Sequence, residues 1–536
     1  MKRESQHIIH KVQVDVGTNK KGTGILVKDN IQEILKKEIF PLIEYYLDEL
    51  DAKFNGQYFQ IPELKINLNS HSNIFIEDSN SPAIDQIIGQ LKEQLEQQLQ
   101  QVRNDFYYLS VGANQKTGNN LNQIQKDKYS KEDPFNKKIK NDWGNRGDDV
   151  QKKKPEIISP LNREINSLIS ILLNGFKPWY LGNEEKPSLF DKWSSIDPVR
   201  HILESPLFHQ LLLKNFKNQL FKTRLIRQFT NTQLSLIFNV LITHYYKLNK
   251  SQQGIFLNTI PLKKSPREEY WRFVFGVFDK EKFKITYKKD LEGMLAKDGN
   301  NNIKDNLKSV LRVAENIHSE KFEWISENHK RKRLFKPKKG VLTPGKIQKK
   351  DSLQNEKDNT FKEEELINSN FNKEPLHLSQ AGLVLLHPFL KTFFQKTGLL
   401  GEKNNIQDPE YATHLLHYVA TKEEKGFEHQ MLFEKYCCGI PLEKPINREV
   451  EISMGHQFMT EELLEAVRDH WKALKNTGTD TLRAEFLCRM GKLDLRGDHP
   501  KLHLERKTQD ILLDQLPWNI SMVKFPWKKE LLFVEW

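Results

Sequence analysis

Cysteine is nearly absent from this chain: Cys437, Cys438 and Cys488 are the only three in 536 residues. Neighbours such as Cys437 and Cys438 almost never bridge each other, and an odd thiol remains under any single pairing. A disulfide scaffold is therefore excluded, and the usage is that of a reducing compartment. Long apolar runs are missing too. The most apolar stretches, residues 381–390 (AGLVLLHPFL) and 234–243 (LSLIFNVLIT), fall far short of the roughly 20 residues that a membrane-spanning helix needs. The opening MKRESQHIIHKVQVDV lacks a continuous apolar h-region and a small-residue cleavage site. These absences predict a soluble protein, made in the cytoplasm, with no membrane insertion. No internal repeat is apparent, and no sustained heptad stripe is present.

Hydrophobic residues make up 37% of the chain and the mean hydropathy is −0.67, low for a compact enzyme. Aromatics, at 10%, are not scarce, so folded parts must alternate with polar connectors. A chain of this length predicts two to four domains. The net charge of +12, from 83 basic and 71 acidic residues, permits an anionic partner without demanding one over such a length.

Hydropathy patterning predicts a predominantly helical α+β protein. Residues 1–110 read as a β-α-β-α unit. Val12, Val14 and Val16 alternate as in a strand, and Ile31, Ile34, Leu35, Leu42, Ile43, Tyr46, Leu47 and Leu50 recur at helical spacing, with Pro41 expected to kink or split that helix. IPELKINL (61–68) returns to strand period. Ile84, Ile87, Ile88, Leu91, Leu95 and Leu99 mark a glutamine-rich amphipathic helix. Residues 111–158 hold hardly an aliphatic side chain and read as a disordered linker, because so little burial cannot offset the entropy of ordering. A helical middle domain follows over 159–329, with Ile165, Leu168, Ile169, Leu172 and Leu173 on one face and a short strand expected at FKITYK (283–288). Residues 330–374 form a second polar linker that opens on the basic KRKRLFKPKKG. The last domain, 375–536, begins with apolar helices and closes on short antiparallel strands around Leu502–Leu504 and Ile520–Val534.

No catalytic constellation emerges, and the chain reads as a non-enzyme. The turn Gly17 to Thr23 lacks the Gly-Lys-Ser/Thr of a phosphate loop. No Gly-x-Ser-x-Gly elbow occurs. His7 with His10, and His414 with His417, stand three residues apart, but a third ligand and the HExxH pattern are missing. His414 and His417, inside YATHLLHYVA, are expected to be packed and hydrogen-bonded, not metal-bound. Cys437 and Cys438 read as buried, inert thiols. Glu461 and Glu462, after Thr460, read as first-turn helix charges. No cofactor or metal is expected. The basic run from Lys330 to Lys339 carries no interleaved stacking aromatics, so a solvated connector is favoured over a nucleic-acid contact.

The closing segment stands apart. Chain ends are usually polar and frayed, yet residues 517–536 (PWNISMVKFPWKKELLFVEW) gather Trp518, Trp527, Phe533 and Trp536, each with a large apolar surface to bury. Together with the HIIHKVQVDV, EILKKEIFPLIEYYLDEL and IPELKINL segments, then FKPWY, RLIRQFTNTQL, AGLVLLHPFL, LLHYVATKEE, CGIPLEKPI and HWKALKNTGTDTLRAEFL, in that order, it resembles the tape measure proteins of phage-tail-like contractile injection systems. The C-terminal matches are the most specific, and the resemblance covers about three-fifths of the chain. It implies a structural assembly role: a protein of the inner-tube lumen that meets inner tube, baseplate, hub or cap proteins and determines where tube growth stops, cytoplasmic during assembly and inside the tube afterwards. The alternative within the same system is a cytoplasmic assembly chaperone or adaptor for baseplate or cargo proteins. The family brings no catalytic residues, and Trp518, Trp527, Phe533 and Trp536 are the expected partner anchors. A fully helical chain of this length would span about 800 Å, but its strands, prolines and linkers forbid one straight helix.

Overall fold

The computed structural model describes residues 7–9, 11–15, 33, 35–51, 58–61, 89–90, 93–94, 97, 156–178, 180–181, 199–248, 264–297, 301–322 and 374–536. They fall into two compact units, Met1–Arg163 and Glu164–Trp536.

In the first unit, a π-helical turn over Leu35–Ile39 passes into helix α1, Phe40–Asp51. The change falls one residue before Pro41, which cannot donate to the preceding turn and so ends one hydrogen-bond pattern where the next begins. Residues 11–15 lie in no strand, and Val12 and Val14 are 45% and 44% exposed. Alternation alone does not make a strand, because no described segment offers them a ladder partner. The strand that does form is β1, Tyr58–Gln60, just ahead of the IPELKINL run. It pairs antiparallel with β2, Glu156–Ile158, at the end of the stretch read from composition as linker. Residues 62–68, the linker over 111–155 and the basic run from Lys330 lie outside the described residues. The described positions between 89 and 97 are helical.

Helix α2, Pro160–Asn174, begins in the last residues of the first unit and runs into the second, where its Ile165, Leu168, Ile169 and Leu172 are buried as their spacing predicts. Four short helices follow: α3 (Arg200–Leu203), α4 (Pro206–Asn215), α5 (Gln219–Gln228) and α6 (Asn231–Val240). The RLIRQFTNTQL motif spans the joint between α5 and α6. Thr230 accepts from Gln233 N while the Gln233 side chain accepts from Thr230 N, a capping box that starts α6. Helices α7 (Lys264–Gly276), α8 (Lys280–Lys297) and α9 (Asn301–His318) complete this layer. FKITYK is helical, inside α8. Phe283, Tyr287, Leu291 and Met294 are buried at helical spacing while Ile285 is 81% exposed, so the 3.6-residue period of the surrounding chain overrides the local strand preference.

The C-terminal part of the same unit wraps helices around a small sheet. Its helices are α10 (His387–Lys396), α11 (Pro409–Thr421), α12 (Leu432–Cys437), α13 (Met454–His470) and α14 (Thr479–Leu482). AGLVLL is a fully buried 3₁₀ turn, Ala381–Leu386. A Cβ on Gly382 would lie 1.7 Å from the Phe486 carbonyl oxygen, so only glycine lets the two backbones approach. The sheet runs β3 (Leu376–Leu378), β4 (Gly491–Asp494), β5 (Lys501–Leu504), β7 (Leu532–Glu535), β6 (Met522–Val523). The expected strands near 502 and 520–534 are present, and β3 and β4 join them. The sheet is mixed instead of antiparallel throughout, because β7 returns parallel to β5. Trp471, with no exposed surface, stacks edge-on to Phe486 at 4.8 Å and donates to the Leu512 carbonyl at 3.1 Å, pinning α13 to the segment that leads into the sheet. No helix among the described residues is long and apolar enough to cross a membrane.

Candidate functional site

The most concentrated polar chemistry of the second unit lies where α5 meets the C-terminal helices. Arg224, Arg227 and Gln228 share one face of α5, being three and four residues apart. Facing them is the irregular segment 442–447, whose Pro445, like Pro441 just before it, has no N–H to place in a ladder. Buried carbonyls still need donors. Leu442 and Lys444 receive the Lys435 ammonium at 2.6 and 2.8 Å, and Glu443 receives Arg224 Nη2 at 2.7 Å. Pro445 receives Arg227 Nη1 at 2.6 Å, Ile446 receives Gln228 Nε2 at 2.8 Å, and Asn447 receives His414 Nε2 at 2.7 Å. Every carbonyl from 442 to 447 thus accepts from a side chain. Two motifs more than 200 residues apart, RLIRQF and PLEKPIN, meet in one seam, with Lys435 and His414 supplying the remaining donors.

Glu428 sits at its centre. One carboxylate oxygen accepts from Arg224 Nε at 2.9 Å and the other from Lys435 Nζ at 2.9 Å, with the Arg224, Glu428 and Lys435 side chains 1%, 2% and 0% exposed. The Glu428 amide donates to Gln228 at 2.9 Å. Arg224 also donates through Nη1 to Leu172 and Leu173, at 2.8 and 2.9 Å, capping last-turn carbonyls of α2 that have no partner within the helix. Gly175 ends α2 at φ +83°, and a Cβ there would lie 2.9 Å from Glu428 Oε1 and 3.0 Å from Arg224 Nη2. Conformation and space both demand glycine. Burial pulls the Lys435 ammonium below the ordinary lysine value, against the opposing pull of Glu428.

A histidine cluster adjoins the seam. The ring of His417 bonds Glu434 through Nδ1 at 2.9 Å, and both side chains are buried. His414 meets the Asn447 carbonyl, as above, so this pair is packed and hydrogen-bonded as its sequence context predicts. Burial lowers the pKa of His414, and that of His429 falls to about 3, burial again being the largest cause, with Lys177 and Arg448 adding to it. Burial also pushes up the thiols: Cys437 well above its ordinary value, Cys438 to about 12 and Cys488 to about 11. Thiols held protonated in this way are poor nucleophiles. This arrangement holds helices in place; it contains no nucleophile poised beside a base.

Sequence reasoning missed the Arg224–Glu428–Lys435 trio because single charges read as surface. The available signal was charge lodged in apolar surroundings, as in FEHQMLFEKYCC. Glu461 and Glu462 are not first-turn charges either. Helix α13 starts at Met454, capped by Ser453 Oγ, which accepts from His456 N. Glu461 lies two turns in and binds Arg483 Nη2 at 2.6 Å.

All four aromatic residues of the closing segment are half-buried, and Trp518, Trp527 and Trp536 pack against the chain's own core. Trp518 donates to the Leu385 carbonyl at 3.1 Å and stacks edge-on to Phe389 at 5.1 Å. Trp527 donates to the Cys437 carbonyl at 2.6 Å and lies 5.2 Å from Phe394. Phe533, in β7, meets His499 at 5.5 Å. Trp536 lies beneath the Arg489 guanidinium, 5.6 Å from its ring centre, and its carbonyl accepts from Arg506 at 2.6 Å.

The signature segments RLIRQF, AGLVLL, CGIPLEKPI and the closing tryptophan run therefore meet within the second unit. A family model described as contractile injection system tape measure protein matches residues 6–536. The chain belongs to that family. Neither a search of curated proteins nor one of solved structures returned a match. The family is a structural one, and membership makes this a tape measure-type protein of a contractile injection system, associated with other components of the tail. Within it, AGLVLL, RLIRQF, CGIPLEKPI and the closing tryptophan segment are the pieces that build and lock the C-terminal unit.

Proposed function

We propose that this chain determines inner-tube length in a phage-tail-like contractile particle, acting as an assembled component without catalysis of its own. The family match over residues 6–536 carries this reading. Its partners are inner-tube, baseplate, hub or cap proteins, met in the cytoplasm during assembly, and its final place is the tube lumen. The C-terminal unit supplies the anchor through the outward faces of Trp518, Trp527, Phe533 and Trp536. Support for this comes from the sheet edge: Met522 of β6, 53% exposed, is the cross-strand partner of Phe533, and Ile511 nearby in sequence is 72% exposed.

Deleting the gene and imaging particles by electron microscopy tests the role. Tubes of random length, or no particles, are expected; normal tubes of normal length would refute it. Lengthening or shortening the 111–158 segment tests how length is encoded, since an extended ruler predicts tube length that follows the change. Finding the protein in purified mature particles separates a resident component from an assembly chaperone or adaptor.

A further inference from the structure

Helix α13 carries an outward stripe with no partner among the described residues. At 3.6 residues per turn, Met454, Phe458, Glu462, Glu465 and Asp469 fall within about 80° of one another. Thr460, Leu463, Leu464 and Val467 face the opposite way and are buried. Met454 is 76% exposed and Phe458 66%, an apolar pair one turn apart that the core does not use. Glu462, Glu465 and Asp469 continue the stripe toward the C-terminal end, all exposed. Among the described residues, of these three only Asp469 has a cation beside it, its sequence neighbour Arg468 at 3.1 Å. Two anchors at i, i+4 beside a line of carboxylates are a docking face for a short segment with apolar residues set among cations.

The chain contains such a segment. Residues 330–339, KRKRLFKPKK, hold seven lysines and arginines around the adjacent Leu334 and Phe335. They stand 35 residues before residue 374, where the C-terminal part of the second unit begins to be described, and that length of chain can span roughly 100 Å. We propose that the α13 stripe is a docking face for the chain's own basic segment 330–339, with Leu334 and Phe335 meeting Met454 and Phe458 and the cations meeting Glu462, Glu465 and Asp469. The segment then serves as an internal latch, giving the connector a definite seat on the C-terminal unit. This does not depend on the tube-length reading, because it concerns one chain in solution.

The test uses full-length protein whose own segment carries Leu334→Ser and Phe335→Ser, titrated against a fluorescein-labelled peptide of residues 330–339 by anisotropy. Saturable binding is expected, weakened about tenfold or more by Phe458→Ser and by raising salt from about 50 to about 500 mM. Phe458 is exposed, so its replacement should leave the melting temperature nearly unchanged, which separates lost docking from lost folding. The wild-type chain, its face already occupied, should bind the peptide at least about tenfold more weakly than the variant. No saturable binding, or binding indifferent to Phe458→Ser, overturns the docking face. Equal binding by wild-type and variant chains overturns occupancy by the chain's own segment.

Discussion

Replacing Arg224 by methionine tests the buried seam most directly. The side chain keeps much of its apolar stem but loses the guanidinium and every donor. Four contacts disappear together: the ion pair to Glu428 and the bonds to the carbonyls of Leu172, Leu173 and Glu443. Glu428 stays buried with only Lys435 to neutralise it. Removing one partner of a buried ion pair costs about 3–5 kcal/mol, and carbonyls stripped of their donor add about 1–3 kcal/mol in total. Part of that sum is recovered by the better packing of an apolar side chain, so a loss of about 4–6 kcal/mol is expected. That is a large share of the roughly 5–15 kcal/mol by which domains are stable. Urea unfolding followed by circular dichroism measures it, and hydrogen exchange should show protection lost first around 172–175 and 442–447. Arg224→Lys should rescue little, since one ammonium cannot reach Glu428, the end of α2 and Glu443 at once. Combining Arg224→Met with Glu428→Gln should cost less than the two singles summed, because each single already loses the same Arg224–Glu428 pair, although Lys435 is left without its carboxylate partner. A loss below about 1 kcal/mol for Arg224→Met would refute the claim that this residue joins the helical layer to the C-terminal core.

Acid should weaken the fold through its neutral buried histidines. His414 and His429 have folded pKa values below the unfolded value, so the unfolded chain takes up protons first. Stability is then full above about pH 6.5 and falls as pH drops below it, by up to about 1.4 kcal/mol per pH unit for each group, His429 continuing toward its folded value of about 3. Melting temperature should fall between pH 7 and 5, and a flat profile would contradict this. Gly175→Ala should cost about 2–3 kcal/mol from the positive φ and the contacts with Glu428 and Arg224, and only the Arg224 share should be relieved in the Arg224→Met background. Trp527→Phe leaves the Cys437 carbonyl without its donor and should cost about 1–3 kcal/mol by the same urea measurement. Cys437 and Cys438 should resist alkylation by iodoacetamide in the native protein at neutral pH and react promptly once it is unfolded; rapid native labelling would show that they are not sealed in the core.

Much of this architecture is legible from periodicity, and the departures have physical causes. The spacing of Ile165, Leu168, Ile169 and Leu172 gives the buried face of α2, and Pro41 marks the place where one helical form yields to another. FKITYK misleads because a six-residue window sees only β-branched and aromatic residues, whereas the burial that decides the matter repeats through Leu291 and Met294. Strands β3 and β4 are three and four residues long, too short to show alternation, and they exist because β5 and the buried AGLVLL turn give them something to pair with and pack against. The seam escapes a linear reading altogether. Arg224 and Glu428 acquire meaning only when the fold brings residues 204 positions apart within 2.9 Å, and nothing local distinguishes Arg224 from a solvated arginine. The tryptophans are conspicuous by composition, yet composition does not reveal that the indole N–H groups of Trp518 and Trp527 are already committed to carbonyls of their own chain.

The order of strands in the C-terminal sheet also bears on synthesis. Strand β7 lies between β5 and β6, so the last of the five to leave the ribosome is an interior one. Until residue 535 emerges, β5 has one edge open and β6 has no neighbour at all. At about 5–20 residues per second, roughly 8–32 s separate the synthesis of β3 from that of β7. Throughout that interval the nascent chain exposes an unpaired strand edge and the apolar residues that β7 will cover, Leu502 and Val523 among them. Such edges recruit strands from neighbouring chains. Copies growing side by side on one polysome are therefore at risk of pairing with one another until β7 has emerged, and a ribosome-associated chaperone should stay on the chain through that interval.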